Sequence, residues 1–186
     1  MMRFPYVAAG VFMPKNVFLF CAVLLSACAV TPRGPDSYYF DCDTPAGDFS
    51  EWNRTIAGGD FRITGSIELW IPRDDPRWQP TGNVWFIGTD SRKIGLQALV
   101  ARDSPDRLQF RLRGPAAAGA PAVFASRNWK DGAVPFTLTL SGSGDLGVTV
   151  GNDTQSLPVG KVVVKKIALS CSTADFHFSD IIITTE

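Results

Sequence analysis

Phe61-Arg62-Ile63-Thr64-Gly65-Ser66-Ile67-Glu68-Leu69-Trp70-Ile71 alternates between apolar and polar positions along its length and stops at Pro72. A period of two sends successive side chains to opposite faces of a strand, one buried and one wet. Working outward, the same grammar recurs. Asn83-Val84-Trp85-Phe86-Ile87 ends at Gly88, Ile94 to Val100 follows, and Arg107 to Arg113 alternates without a fault before Gly114-Pro115. Phe136 to Leu140 runs into the turn Ser141-Gly142-Ser143-Gly144-Asp145, and Leu146 to Val150 is closed by Gly151-Asn152-Asp153. Val162 to Leu169 and Phe176 to Thr184 complete the set. About nine strands with turn residues between them, and no 3.6-residue period, predict an all-β domain. One wet face per strand is the mark of antiparallel sheets.

These strands fit an antiparallel two-sheet sandwich of jelly-roll type. The Ala/Gly/Pro stretch from Gly114 to Ala122 reads as an excursion loop, because the strands on both sides share one pattern. The order of features resembles the concanavalin A-like lectin/glucanase superfamily, including laminin-G-like domains. The points of likeness are Phe61 to Glu68, the paired strands between Val84 and Phe110, the hairpin Gly144 to Val150, and the closing Phe176 to Ile183. The resemblance spans roughly residues 38–186 and implies a sheet face on which glycans lie.

The first residues carry a different message. Lys15 precedes the apolar run Val17 to Leu25, which ends in Leu25-Ser26-Ala27-Cys28. A positive start, a short apolar stretch and small residues at the cut describe a secretory signal. The run is too short to span a bilayer, which takes about 20 residues. Leu25-Ser26-Ala27-Cys28 resembles a bacterial lipoprotein box. That resemblance implies cleavage before Cys28, a lipid on Cys28, and a bacterial envelope location. Ala29, rather than Asp, favours the outer membrane by the same resemblance. The alternatives are an ordinary cleaved signal and an anchor helix; Met13-Pro14-Lys15 offers a more compact start than Met1. The expected organisation is a signal peptide at 1–27, a lipidated Cys28 with a Pro/Gly tether at 28–37, and the sandwich at 38–186.

Of 186 residues, 45% are apolar, with 13 Phe and five Trp, ample for a core. Loss of Arg3 and Lys15 with the signal leaves 16 basic against 18 acidic residues, a net charge of −2. There is no basic run, so a nucleic-acid partner is not expected. Cys21 leaves with the signal and Cys28 takes the lipid, so Cys42 and Cys171 remain for one disulfide in an oxidising compartment.

Chemistry is harder to find. Glucanases of the superfamily carry paired carboxylates on one strand, but no second acid lies two or four positions after Glu68, and Glu51, Glu68 and Glu186 are the only Glu. Sandwich lyases use a His and a Tyr. The single His, His177, lies between Phe176 and Phe178, where a solvent-facing strand histidine is the plainer reading. No catalytic residue is therefore assigned, and no cofactor is expected. Asp41, Asp43 and Asp180 are the aspartates that a disulfide would draw together for a structural calcium, although solvated turn aspartates account for them equally. Trp52, Trp78 and Trp129 are expected to pack at sheet edges.

The wet face is more informative. Placing Ile67, Leu69, Ile71, Val84, Phe86, Leu96, Ala98, Val100, Leu108, Phe110 and Leu112 inward leaves Glu68, Trp70, Asn83, Trp85, Gln97, Gln109, Arg111 and Arg113 outward. Flat aromatics beside amides and guanidinium forks suit sugars, which present CH faces and paired hydroxyls. The expectation is a lipid-anchored, non-catalytic binding module for carbohydrate. The other readings are an envelope lipoprotein holding a protein partner and, further off, a polysaccharide hydrolase or lyase. A solvated face, or one covered by the Gly114–Ala122 loop, remains the bland account of the same residues.

Overall fold

The computed structural model describes residues 30–32, 37–56, 58–115 and 122–185. The signal peptide, Cys28, most of the tether and the middle of the Gly114–Ala122 loop lie outside these residues. Thirteen strands follow one another: β1 (Val30–Pro32), β2 (Ser37–Asp43), β3 (Phe49–Thr55), β4 (Phe61–Pro72), β5 (Thr81–Gly88), β6 (Lys93–Val100), β7 (Arg107–Arg113), β8 (Val123–Asn128), β9 (Val134–Leu140), β10 (Asp145–Val150), β11 (Asp153–Pro158), β12 (Val164–Ser172) and β13 (Ala174–Thr185). They form two antiparallel sheets, β1-β2-β13-β4-β9-β10-β11 and β3-β12-β5-β6-β7-β8. The all-β sandwich expected from the alternation is the fold observed. Val30–Pro32, expected in the tether, pair with Pro32 opposite Tyr38 and Val30 opposite Phe40.

The alternation placed the core correctly over most of its length. Ile63, Ile67, Leu69, Val84, Phe86, Leu96, Ala98, Leu108, Phe110, Leu138 and Val148 are buried between the sheets, with Phe40, Phe176 and Phe178 beside them. Ile71 departs from this expectation and is 49% exposed. A register shift opposite Asp175/Phe176 inserts an extra residue near the end of β4, and one extra residue swaps the faces. A second irregularity in β13 centres on Asp180, at φ 53. Phe176 and Phe178 point inward before it, and Ile181 after it. Apolar residues three apart thus share one core.

Turn chemistry holds the hairpins. Gly151-Asn152 joins Val150 to its partner Asp153, and Gly151 sits at φ 58. Two-residue hairpin loops with glycine first accept this positive φ without a steric cost. Cys42 of β2 and Cys171 of β12 are bonded, with Cα atoms 6.0 Å apart. The bond joins the two sheets through the core, since both cysteines are fully buried.

Candidate functional site

Two outer faces carry polar constellations, one per sheet. On the six-stranded sheet, register sets the outward residues in rows. One row runs Glu51, Ser170, Asn83, Gln97, Arg111, and the next Asn53, Ala168, Trp85, Gly95, Arg113. The amides and hydroxyl interlock: Asn83 Nδ2 donates to Ser170 Oγ at 3.2 Å, and Gln97 Nε2 donates to Asn83 Oδ1 at 3.2 Å. Arg111 Nη2 donates to Gln109 Oε1 at 3.2 Å. Arg113 Nη1 lies 3.5 Å from Gln97 Oε1. The Nε of Arg111 is buried and has no hydrogen-bond partner among the described residues.

This face is sheltered rather than flat. Asn83 and Trp85 point away from the core yet are only 7% and 8% exposed. Trp85, Ile87 and Ala168 form a small apolar cluster of their own. The floor is low because β12 contributes Ser172, Ser170 and Ala168, and Gly95 leaves a gap beside Trp85. Lys93 of β6 reaches across β5 and β12 to Glu51 of β3, with Nζ to Oε2 at 3.0 Å. Three strand spacings, with the four residues along β3 from Thr55 to Glu51, amount to about 19 Å in a flat sheet, beyond what two extended side chains span, so the face curls inward. The result is a trough with an apolar patch, an amide row and two guanidinium groups along one side.

The structure divides the residues that sequence placed on one face. Trp85, Gln97, Gln109, Arg111 and Arg113 do come together, with Asn83. Glu68 and Trp70 do not, because β4 pairs with β13 and β9 in the other sheet. Alternation tells which side chains leave the core but not from which side of the sandwich they leave.

Trp70 belongs instead to the second constellation, around His177. On β13, Asp175 and His177 point outward from the seven-stranded sheet, and His177 is paired with Asp41 of β2 and Glu68 of β4. His177 Nδ1 lies 3.0 Å from the Tyr39 hydroxyl. Its Nε2 lies 3.2 Å from Asp175 Oδ1 and 3.5 Å from Asp41 Oδ1. The Trp70 ring stacks on the imidazole at 4.1 Å between centroids and 20° between planes. The histidine is therefore not solvent-facing as expected; its side chain is 14% exposed. Burial pushes the Asp175 carboxyl above its ordinary range; His177 draws it back, and the charge of Asp41 adds to the rise. The calcium set read from sequence is not what the strands assemble. Asp43 is tied to Arg73 at 2.5 Å, and Asp180 sits exposed at the β13 irregularity, whereas Asp41 meets Asp175 and His177. Sequence reading missed this trio. Its signal is Asp175-x-His177, one strand face apart by two, on the strand that follows Cys171.

The other tryptophans are accounted for locally. Trp52 packs against Tyr38 at the sandwich edge, and Trp129 donates from Nε1 to Pro105 O at 3.1 Å. Trp78 is half exposed and walls a cleft of about 470 Å³ with Pro72, Pro76, Pro80 and Pro105.

No family model and no curated protein matches the chain. Solved structures do resemble it. The carbohydrate-binding module CBM66 from Bacillus subtilis superposes with a TM-score of 0.50 at 14% identity, covering 80% of this chain and 86% of that one. The CBM2 module of the evolved Dit of Lactobacillus casei BL23 phage J-1 gives 0.53 at 10% identity, covering 79% and 75%. An alginate lyase from Pseudomonas aeruginosa gives 0.51 at 14% identity, covering 83% and 85%. At such identities the likeness is one of fold, the concanavalin A-like sandwich, which binding modules and enzymes share.

Proposed function

We propose that the protein is a non-catalytic carbohydrate-binding module that works through the trough on its six-stranded sheet, tethered to a bacterial envelope membrane by a lipid on Cys28. The observation that carries the binding role is the Asn83–Gln97–Arg111 row beside Trp85, with a buried Arg111 Nε that lacks an acceptor. A buried donor without a partner is costly, and a sugar hydroxyl laid along the row supplies one. Trp85, packed with Ile87 and Ala168, supplies an apolar floor to the trough, while Gln97 and Arg113 present further donors. The non-catalytic reading is supported by the acids on this face. Among the described strand residues of the six-stranded sheet, the outward carboxylate is Glu51, and it is engaged by Lys93.

The test is a panel of envelope and plant polysaccharide fragments, followed by melting temperature and tryptophan fluorescence. A fragment at a hundredfold excess over its Kd raises stability by about 2.7 kcal/mol. The expected result is a shift with one glycan class that Arg111→Ala reduces at least tenfold in affinity while the variant's own melting temperature stays near the parent's. Unchanged binding by Arg111→Ala sinks the trough as the site. Silence across the whole panel shifts the reading to a protein partner, and turnover of any fragment ends the non-catalytic one.

The anchor is tested separately. Labelled palmitate fed to bacteria expressing the full chain is expected to enter the protein and to be absent from Cys28→Ser. Equal labelling of that variant removes the lipid from the reading. Among the described residues no helix is long and apolar enough to cross a membrane.

A further inference from the structure

We propose that Asp41, Asp175 and His177 form a binding site for one divalent transition-metal ion on the outer face of the seven-stranded sheet, with Tyr39 orienting the imidazole. This does not rest on the carbohydrate reading, which concerns the opposite sheet.

Strand pairing makes the site. β13 presents Asp175 and His177 two residues apart on one face, and the β2–β13 register sets Asp41 directly across from His177. One oxygen of each carboxylate and one imidazole nitrogen all lie within 4.8 Å of one another. Metal–oxygen and metal–nitrogen bonds of about 2.0–2.2 Å hold neighbouring ligand atoms roughly 3–4 Å apart. A small closure of the side chains brings all three onto one ion.

A second observation points to a missing cation. Asp175 is nine-tenths buried, at 9% exposure, and its Oδ1 has no hydrogen-bond donor; Asp41, a more exposed residue, also has a buried Oδ1 without a donor. Both oxygens face His177 Nε2. Buried acceptors of this kind are normally satisfied, and Arg73, the cation nearest in sequence to β4's end, is committed to Asp43 and to the Thr44 carbonyl.

The outer partners match a metal-ligating histidine. Such a histidine typically donates its other ring N–H to an oxygen, which fixes the tautomer. With Nδ1–H donating to the Tyr39 oxygen, Nε2 presents a bare lone pair to two carboxylate oxygens. Three acceptors then converge, and a cation resolves the conflict. Trp70 covers one face of the imidazole and holds its orientation. One nitrogen and two oxygens suit zinc, cobalt or nickel better than calcium, which takes six to eight oxygens. Three protein ligands leave a fourth tetrahedral position for water on the side of Asp41, whose side chain is 48% exposed.

The chain's only histidine makes the test clean. The full chain, purified in mild detergent without a histidine tag and stripped by a chelator, is titrated with zinc alone by calorimetry. The imidazole ¹⁵N resonances are followed in parallel. The expected result is one zinc per chain at micromolar affinity or tighter, with the Nε2 resonance shifting on ligation. Asp41→Asn, His177→Gln and Asp175→Asn each weaken binding by at least tenfold, Tyr39→Phe weakens it about tenfold, and Asp180→Asn leaves it unchanged. Millimolar calcium does not compete. Asp41→Asn lies at the exposed side and keeps the fold, which circular dichroism checks. The proposal is overturned if folded parent takes up no zinc, if Asp41→Asn binds as the parent does, or if the Nε2 resonance does not move when zinc is added. The last result would place the zinc elsewhere on the chain.

Discussion

With Cys42 and Cys171 both replaced by Ala, the domain is expected to lose about 4–5 kcal/mol of unfolding free energy. The bond closes a loop spanning 129 residues, and the entropy that a cross-link removes from the unfolded chain grows with the logarithm of that span. Small domains have only about 5–15 kcal/mol to lose. The bond also links β2 of one sheet to β12 of the other, so its removal frees the sandwich to part at that end. Urea denaturation of the double variant against the oxidised parent makes the measurement. The midpoint should fall and the slope rise, because an unfolded chain without the bond exposes more surface. A loss under about 1 kcal/mol would show that the unfolded state is already compact enough for the loop to cost little. Reducing agent alone should act slowly, since neither sulfur is accessible in the folded protein.

Gly95→Ala is expected to cost about 3–5 kcal/mol, a sum of backbone strain and overpacking. Gly95 has φ +154, and a methyl group built on it would stand 2.0 Å from the Val84 carbonyl oxygen. That oxygen belongs to the backbone of β5, the strand that Gly95 pairs with opposite Trp85. Relief therefore requires the central pair of the six-stranded sheet to separate, and the trough loses the gap beside Trp85 as well. Gly58→Ala is the control, because nothing lies within 4 Å of the added atom there. It should leave the melting temperature nearly unchanged. Comparable losses in both variants would mean that the close approach at Gly95 relaxes easily.

The fold was readable in most strands that have a core on one side and neighbours on both edges, β2 being the exception. β4, β6, β7, β9 and β10 alternate cleanly because each must bury one face. β1, β2, β3, β8 and β11 escaped notice, and all but β2 are edge strands. Asp153-Thr154-Gln155-Ser156-Leu157-Pro158 contributes little to the core and is mostly exposed. Its place in the sheet comes from its hairpin to β10 rather than from a pattern of its own. Edge strands of this polar kind resist unwanted pairing, which is also what hides them from a periodicity reading. The trough was half legible: Trp85, Gln97, Gln109, Arg111 and Arg113 follow from alternation within three neighbouring strands. Glu68 and Trp70 were assigned to it because sheet membership depends on long-range pairing, which local sequence does not carry. The trio around His177 was illegible for the same reason, since Asp41 and Asp175 are brought together by strands from opposite ends of the domain.

β12 and β13 run consecutively, yet each lies inside its sheet, one between β3 and β5 and the other between β2 and β4. Before residue 164 has emerged from a ribosome or a translocation pore, β1 and β2 have only each other to pair with, and β3 has no sheet neighbour. What is available by then amounts to two separate partial sheets, β4 with β9 to β11 and β5 with β6 to β8. The N-terminal strands must wait, unjoined to either partial sheet, for β12 and β13. Their arrival completes both sheets and brings Cys42 within reach of Cys171 in one event. Vectorial synthesis therefore leaves this domain open until its final two strands are present. Trimming them would cut β3 from one sheet and β1–β2 from the other, whereas losing the β10–β11 hairpin would only shorten one sheet from its rim.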